Sequence, residues 1–177
     1  MVVKHGILIA PLMQLPCQLD WLPSALDAVF HCPVRIRPEY FDLNFAFDGQ
    51  RDQFHSTRLL VELCDRFPEE SDTLVGLVDV DLYVPVLTFV FGEAQLGGNR
   101  AVVSTLRLRE PWLPAGAPEE LLRRRLLKTL IHELGHNEGL RHCLDTSCVM
   151  TSANNLEMLD LKNVAFCTPC QILLSGE

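Results

Sequence analysis

The 177-residue chain has no apolar run that reaches the roughly 20 residues of a membrane span. It is also poor in positive charge, since 15 lysines and arginines stand against 23 aspartates and glutamates and give a formal net charge of −8. Binding to a phosphate backbone needs clustered cations, so this balance argues against nucleic acid as a partner. The one basic cluster, Arg123-Arg124-Arg125, falls in a helical pattern and is predicted to be a solvated helix face. With 48% apolar residues and no internal repeat, the chain is expected to form one compact domain over residues 1–177.

The seven cysteines fall into two groups. Cys17, Cys32 and Cys64 are scattered and are interpreted as free thiols in the interior. The other four form two spaced pairs near the C-terminus, with the spacing of ligands to a structural zinc ion: Cys143, Cys148, Cys167 and Cys170. An odd count argues against a framework made only of disulfides. Both groups suit a reducing compartment, so a cytoplasmic location is expected.

The order of hydrophobic patterns predicts an α/β fold. Strands are expected at residues 2–10, 33–37, 73–80, 86–91 and 100–106. Helices are expected at residues 20–30, 52–67 and 118–138, with an irregular stretch at 39–49 and a Pro/Gly linker at 111–118. The first apolar run resembles a short signal peptide, but Pro11 interrupts it and a buried strand is favoured. The turn at Gly97-Gly98 favours an antiparallel pair, which makes the sheet mixed.

The chemistry is concentrated in the predicted third helix and the residues after it. His132 and His136 are four residues apart, so their rings leave one helix face at the spacing that lets two imidazoles bind one zinc ion. Glu133 lies beside them, where a general base for a water molecule is needed. Gly139 can end the helix, because glycine adopts positive φ without a steric penalty, and His142 can then return as a third ligand. Three nitrogen ligands leave one tetrahedral position open, which is typical of a catalytic zinc site.

This pattern, HExxHxxGxxH over residues 132–142, resembles the signature of the metzincin metallopeptidases. Its continuation is similar to the archaemetzincins, a family that joins a metzincin site to a second, four-cysteine zinc site. The resemblance implies a metzincin-like mixed, twisted sheet of about five strands packed with helices. It divides the chain into a sheet and helix part that ends with the active-site helix (residues 1–139), and a zinc-stapled C-terminal part (residues 140–177). Met150 would be the methionine of the Met-turn beneath the histidines.

The resemblance also implies a function: hydrolysis of peptide bonds by a zinc-activated water with Glu133 as the base, and possible aminopeptidase-like cleavage of short peptides. Two Zn²⁺ ions per chain are expected, one on the histidines and one on the cysteines. In metzincins an antiparallel edge strand pairs with extended substrate, and residues 86–91 are the candidate by order, with Phe89, Val90 and Phe91 as contacts. Thr151 and Ser152 would line the primed-side wall. No tyrosine follows Tyr83, so the tyrosine that some metzincins carry after the Met-turn is missing.

Two other functions fit parts of the pattern. Bacterial endoribonucleases of ribosomal RNA maturation share the H-x3-H-x5-H spacing, but they carry glycine at the position of Glu133 and lack the cysteines. A zinc-stabilised module could also hold a peptide without cutting it, although binding alone needs no base. The sequence leaves the oligomeric state open.

Overall fold

The computed structural model describes residues 6–109 and 119–175. The strands are β1 (Ile7–Pro11), β2 (Val34–Ile36), β3 (Phe47–Asp48), β4 (Gln53–His55), β5 (Thr73–Val78), β6 (Leu82–Tyr83), β7 (Gly92–Ala94) and β8 (Arg100–Ser104). The α-helices are α1 (Leu22–Phe30), α2 (Ser56–Arg66), α3 (Glu119–Asn137), α4 (Leu156–Leu161) and α5 (Thr168–Ser175). The predicted starts at residue 2 and residue 118, and the linker at 111–118, lie outside the described residues.

Five strands form the main sheet in the order β2-β1-β5-β8-β7. The first four run parallel, and β7 pairs antiparallel with β8 at one edge. Parallel strands are covered on both faces, and here every residue of β1 and β5 is buried. The predicted mixed α/β sheet of about five strands is confirmed.

The sheet separates two hydrophobic cores. Alternate residues of β1 point to opposite faces, so Ile7 and Ile9 pack with α1 and α3, whereas Leu8 packs with α2. The α3 layer also contacts the segment after α3, which contributes the buried residues Val149 and Met150 to the same core. The sheet thereby supports α3 from one side, and the C-terminal segment supports it from another.

The predicted strand at residues 86–91 is wrong. This segment is a loop with one isolated bridge, between Val90 and Leu82, and the antiparallel edge strand is the next three residues, β7. The sequence is rich in β-forming residues, but among the described residues the only β-bridge that it forms is this one, to β6. Side chains satisfy backbone carbonyls of this loop in place of a partner strand. Arg51 donates to the Leu87 carbonyl (2.8 Å), and Gln53 donates to the Thr88 carbonyl (2.9 Å).

Charged residues at the end of β5 and after it form ion pairs. The carboxylates of Asp79 and Asp81 accept hydrogen bonds from Arg109 and Arg107 respectively. The prediction that Arg123, Arg124 and Arg125 form a solvated helix face is wrong for Arg125. The side chain of Arg125 is 2% exposed and pairs with Asp160 of α4, because α3 lies between the sheet and the C-terminal segment.

None of the helices in the described parts of the chain has the length and apolar character that crossing a membrane requires.

Candidate active site

Helix α3 ends in a Schellman motif that turns the chain toward His142. Gly139 has φ of 91°, the left-handed conformation that glycine adopts without a steric penalty. The Leu140 N–H donates to the carbonyl of Gly135 (2.9 Å), and the Gly139 N–H donates to that of His136 (2.9 Å). The predicted helix end at Gly139 is confirmed, and the chain reverses three residues before the third histidine.

The three histidines converge at the carboxyl end of α3. The ring centroids of His132 and His136 are 4.6 Å apart, and those of His142 lie 5.2 and 5.0 Å from them. The Nε2 atoms of His132 and His136 are 3.2 Å apart. A tetrahedral zinc ion with bonds of about 2.0–2.1 Å places two nitrogens roughly 3.4 Å apart, so these atoms fit one ion.

Backbone carbonyls fix the orientation of two of these rings. The Nδ1 of His132 lies 2.8 Å from the Val149 carbonyl, and the Nδ1 of His136 lies 2.7 Å from the Leu140 carbonyl. A proton on Nδ1 satisfies each carbonyl and leaves the Nε2 lone pair for a metal. Burial lowers the pKa of all three histidines, which keeps the imidazoles in the neutral form that binds metal.

Glu133 lies beside the histidines and is 5% exposed. Burial raises its pKa to about 8, and the positive charge of Lys162 acts in the opposite direction. Gly92 of β7 lies directly against this side chain, because a Cβ built on Gly92 would be 2.9 Å from the Glu133 Cγ. The edge strand and the carboxylate are therefore in contact, which places Glu133 between the histidines and β7.

Met150, the residue assigned to the Met-turn by resemblance, packs against α3 at Gly135. It is fully buried, and a Cβ built on Gly135 would meet its sulfur at 2.4 Å. The glycine between the two helical histidines thus leaves the space that the thioether fills. Phe166 contacts the same position and joins the C-terminal segment to α3.

The four C-terminal cysteines also converge. The sulfurs of Cys143 and Cys167 are 3.7 Å apart, and those of Cys148 and Cys170 are 3.8 Å apart. A disulfide has a sulfur separation of about 2.05 Å, whereas two thiolates on a tetrahedral zinc ion are about 3.8 Å apart. All four sulfurs lie within 4.8 Å of one another, so this cluster fits a closed zinc site. The Asp145 and Cys167 N–H groups donate to sulfurs of the cluster, as the second shell of such a site requires.

The histidines open into a cleft of about 610 Å³. Of the five residues predicted to contact substrate, Phe89, Val90, Phe91 and Ser152 line it. Thr151 is not among the lining residues. Its hydroxyl donates to the Asp145 carbonyl, and its own carbonyl accepts from Lys162.

The sequence interpretation missed three residues of this region. Gly92 carried a signal, since a glycine in a strand pattern often marks a close backbone approach. Asn137 holds the β7–β8 hairpin against α3 by donating to the carbonyls of Gln95 (3.0 Å) and Arg100 (2.9 Å). Lys162 lines the cleft and is 3% exposed. Nothing in the local sequence marks either of these two polar residues as buried.

Comparison with known proteins gives one consistent result. The sequence profile of Peptidase family M54 matches residues 46–175. The archaemetzincin of Haloquadratum walsbyi is 34% identical over 170 residues, covering 94% of this chain and 97% of that one. The crystal structure of the Methanopyrus kandleri archaemetzincin superposes with a TM-score of 0.86 at 32% identity, over 97% of this chain and 94% of that one. The Archaeoglobus fulgidus archaemetzincin, solved in complex with malonate, superposes with a TM-score of 0.81 at 34% identity, over 96% and 99%.

The fold, the histidine and cysteine clusters and these likenesses together define a zinc metallopeptidase. The resemblance seen in the motif is confirmed over most of the chain. The chain belongs to Peptidase family M54, the archaemetzincins.

Proposed function

We propose that the chain hydrolyses peptide bonds with His132, His136 and His142 as ligands of a catalytic zinc ion and Glu133 as the general base. The observation that carries this proposal is the convergence of the imidazoles, with the Nδ1 atoms of His132 and His136 on carbonyls and their Nε2 atoms 3.2 Å apart. His142 is exposed whereas His132 is buried, so the side of the cluster nearest His142 is open to a ligand.

When bound, zinc supplies Lewis acidity that polarises a peptide carbonyl and makes a water molecule more acidic. Glu133 accepts a proton from the attacking water and returns it to the leaving amine. The buried position of this carboxylate excludes competing water and keeps it beside the reacting atoms. β7 is an edge strand, so its free backbone groups can pair with an extended substrate next to Glu133.

The four cysteines would hold a second, structural zinc ion, giving two per chain. Its support is the pair of sulfur separations of 3.7 and 3.8 Å together with the closed, largely buried cluster. Thiolates that bind zinc must stay reduced, which supports the proposed cytoplasmic location.

Short peptides are the proposed substrates, with aminopeptidase-like cleavage as the finer expectation. Residues of the loop at 84–91 and residues 152–154 both contribute to the lining of the cleft. A cleft of about 610 Å³ suits a few residues of extended chain.

The test is a set of fluorogenic peptides with free and blocked N-termini, assayed on protein whose zinc content is known. Hydrolysis by the wild type and its loss in a zinc-loaded Glu133→Ala variant are the expected results. Equal turnover by that variant would contradict the role of Glu133. Cleavage of RNA without cleavage of any peptide, or peptide binding without cleavage, would overturn the peptidase proposal and favour the two other functions.

A further inference from the structure

Lys162 is a buried cation in the wall of the cleft. It follows α4 and is 3% exposed, yet it lines the cleft together with Glu133. Its Nζ donates to the carbonyls of Val149 (2.9 Å) and Thr151 (2.9 Å), the residues on either side of Met150. Lys162 therefore joins the lining of the cleft to the turn beneath the histidine cluster.

One N–H of this ammonium group remains available. The third neighbour of Nζ is the Nδ1 of His132 at 3.4 Å, which donates its own proton to Val149 in the orientation that frees Nε2. An ammonium group has three donors, and two carbonyls take two of them. Among the described residues, the third donor meets no oxygen acceptor.

The cation also lacks a close counter-ion. Within residues 6–109 and 119–175 no carboxylate oxygen lies within 4.0 Å of the Lys162 Nζ, whereas the buried Arg125 has Asp160 at 2.5 Å. A buried charge without a partner is costly, and the favourable solution is a carboxylate hydrogen-bonded to it. The neighbouring carboxylate, Glu133, is committed to the reaction in the proposed function.

The position of the Lys162 ammonium group in the cleft determines which part of a bound peptide can reach it. By resemblance, the segment after Met150 is the wall on the primed side, which holds the residue after the scissile bond. Thr129 of α3 and Leu159 of α4 line the same cleft. Of the described residues that line the cleft, Lys162 and Arg141 carry positive side chains, and Arg141 is exposed to solvent. A carboxylate in the cleft therefore finds its buried cationic partner at Lys162.

We propose that Lys162 makes the primed side of the cleft select a carboxylate, either an acidic side chain directly after the scissile bond or the free C-terminus of a short peptide. This inference rests on the proposed peptidase function and names its substrate class. Lys162 is a specificity-determining residue in this proposal, and its hydrogen bonds to the Met-turn are separate from that role.

The experiment measures binding by the zinc-loaded Glu133→Gln variant, which prevents turnover. Four peptides are used, in two matched pairs. The two peptides of the first pair end in an amide and differ only in having Glu or Gln directly after the scissile position. The two peptides of the second pair end one residue after that position and differ only in having a free C-terminal carboxylate or an amide. One charge-assisted hydrogen bond predicts about tenfold tighter binding of the carboxylate member. Preference in the first pair identifies an acidic side chain, and preference in the second pair alone identifies the C-terminus.

Adding Lys162→Met should reduce the preference to less than about twofold. Lys128→Met is the matched control, because Lys128 is equally buried and donates to two carbonyls, but it does not line the cleft. It should keep the tenfold preference. Equal binding within both pairs overturns the proposal without any Lys162 variant, and it leaves peptide hydrolysis by the wild type as a separate question. Failure of all four peptides to bind contradicts both proposals.

Discussion

Three histidines and four cysteines with the geometry of metal ligands lie within residues 132–170, and they differ in what surrounds them. The histidines open into a cleft, and two of them are held by carbonyls behind the rings. The cysteines enclose their own centre, with Cys148 and Cys170 buried and backbone N–H groups directed at the sulfurs. Three nitrogen ligands leave one coordination position of a zinc ion open for water or substrate, whereas four thiolates fill all four positions.

The two clusters are nevertheless coupled by one short segment. Cys143 follows His142 directly, and its N–H donates to the Met150 carbonyl (3.0 Å). The residue before Met150 accepts the His132 Nδ1 proton. The cysteine cluster is therefore in a position to fix the third histidine and the turn beneath the other two.

Replacing His136 should have the largest effect on activity. It should also distinguish the two clusters most clearly, because only the histidine cluster should lose its zinc ion. His136→Ala removes one of three nitrogen ligands, and we expect zinc affinity at that site to fall by a factor on the order of 100 or more and peptidase activity to be lost. Elemental analysis should show about one zinc per chain where the wild type holds about two. Retention of both ions with no activity would mean that the histidines are not the ligands.

Cys143→Ser should affect both clusters, which tests the coupling. Loss of a thiolate opens the structural site, and the freed turn should lower zinc affinity at the histidines by about 10–100-fold. Titration of zinc content with a competing chelator measures both. Cys17→Ser is the matched control, since Cys17 is a free cysteine outside the cluster and should leave both ions in place. Full occupancy of the histidine site in Cys143→Ser would show that the clusters are independent.

Gly135→Ala should destabilise the protein by about 1–3 kcal/mol, because the new Cβ overlaps the sulfur of Met150. The measurement is chemical denaturation of the metal-loaded protein. Gly49→Ala is the control, since its Cβ would meet only the Phe47 ring, at 3.8 Å. A stabilised Gly135→Ala variant would mean that the Met-turn does not pack tightly under α3.

Asp160→Asn should have the smallest effect, about 1–2 kcal/mol of unfolding free energy. The change leaves the buried Arg125 without its carboxylate, although Asp160 itself is partly exposed and part of the cost is relieved by water. Glu119→Gln breaks the exposed Arg123–Glu119 pair and should cost less than about 0.5 kcal/mol. Equal effects of the two variants would show that the Arg125–Asp160 pair does not hold α4 against α3.

The sheet and helices were largely predictable because each carries its own periodicity. The strand at residues 86–91 failed because β-forming residues need a partner, and the partner strand β8 pairs with Gly92–Ala94 instead. The prediction of a solvated Arg125 failed for a related reason. Its partner, Asp160, is 35 positions away in the chain, and the local sequence pattern does not indicate it. The division at residue 139 and the substrate contacts stay predictions.

The sequence alone determined the residue types of the two clusters, their spacing and the glycine that turns the chain, because these depend on helix geometry and backbone conformation within a few residues. The tertiary structure decided that the Val149 and Leu140 carbonyls orient the imidazoles, that Gly92 touches Glu133, and that Lys162 is a buried cation in the cleft. All but the Leu140 contact join positions at least 11 residues apart. They arise from packing between elements, which no local pattern encodes.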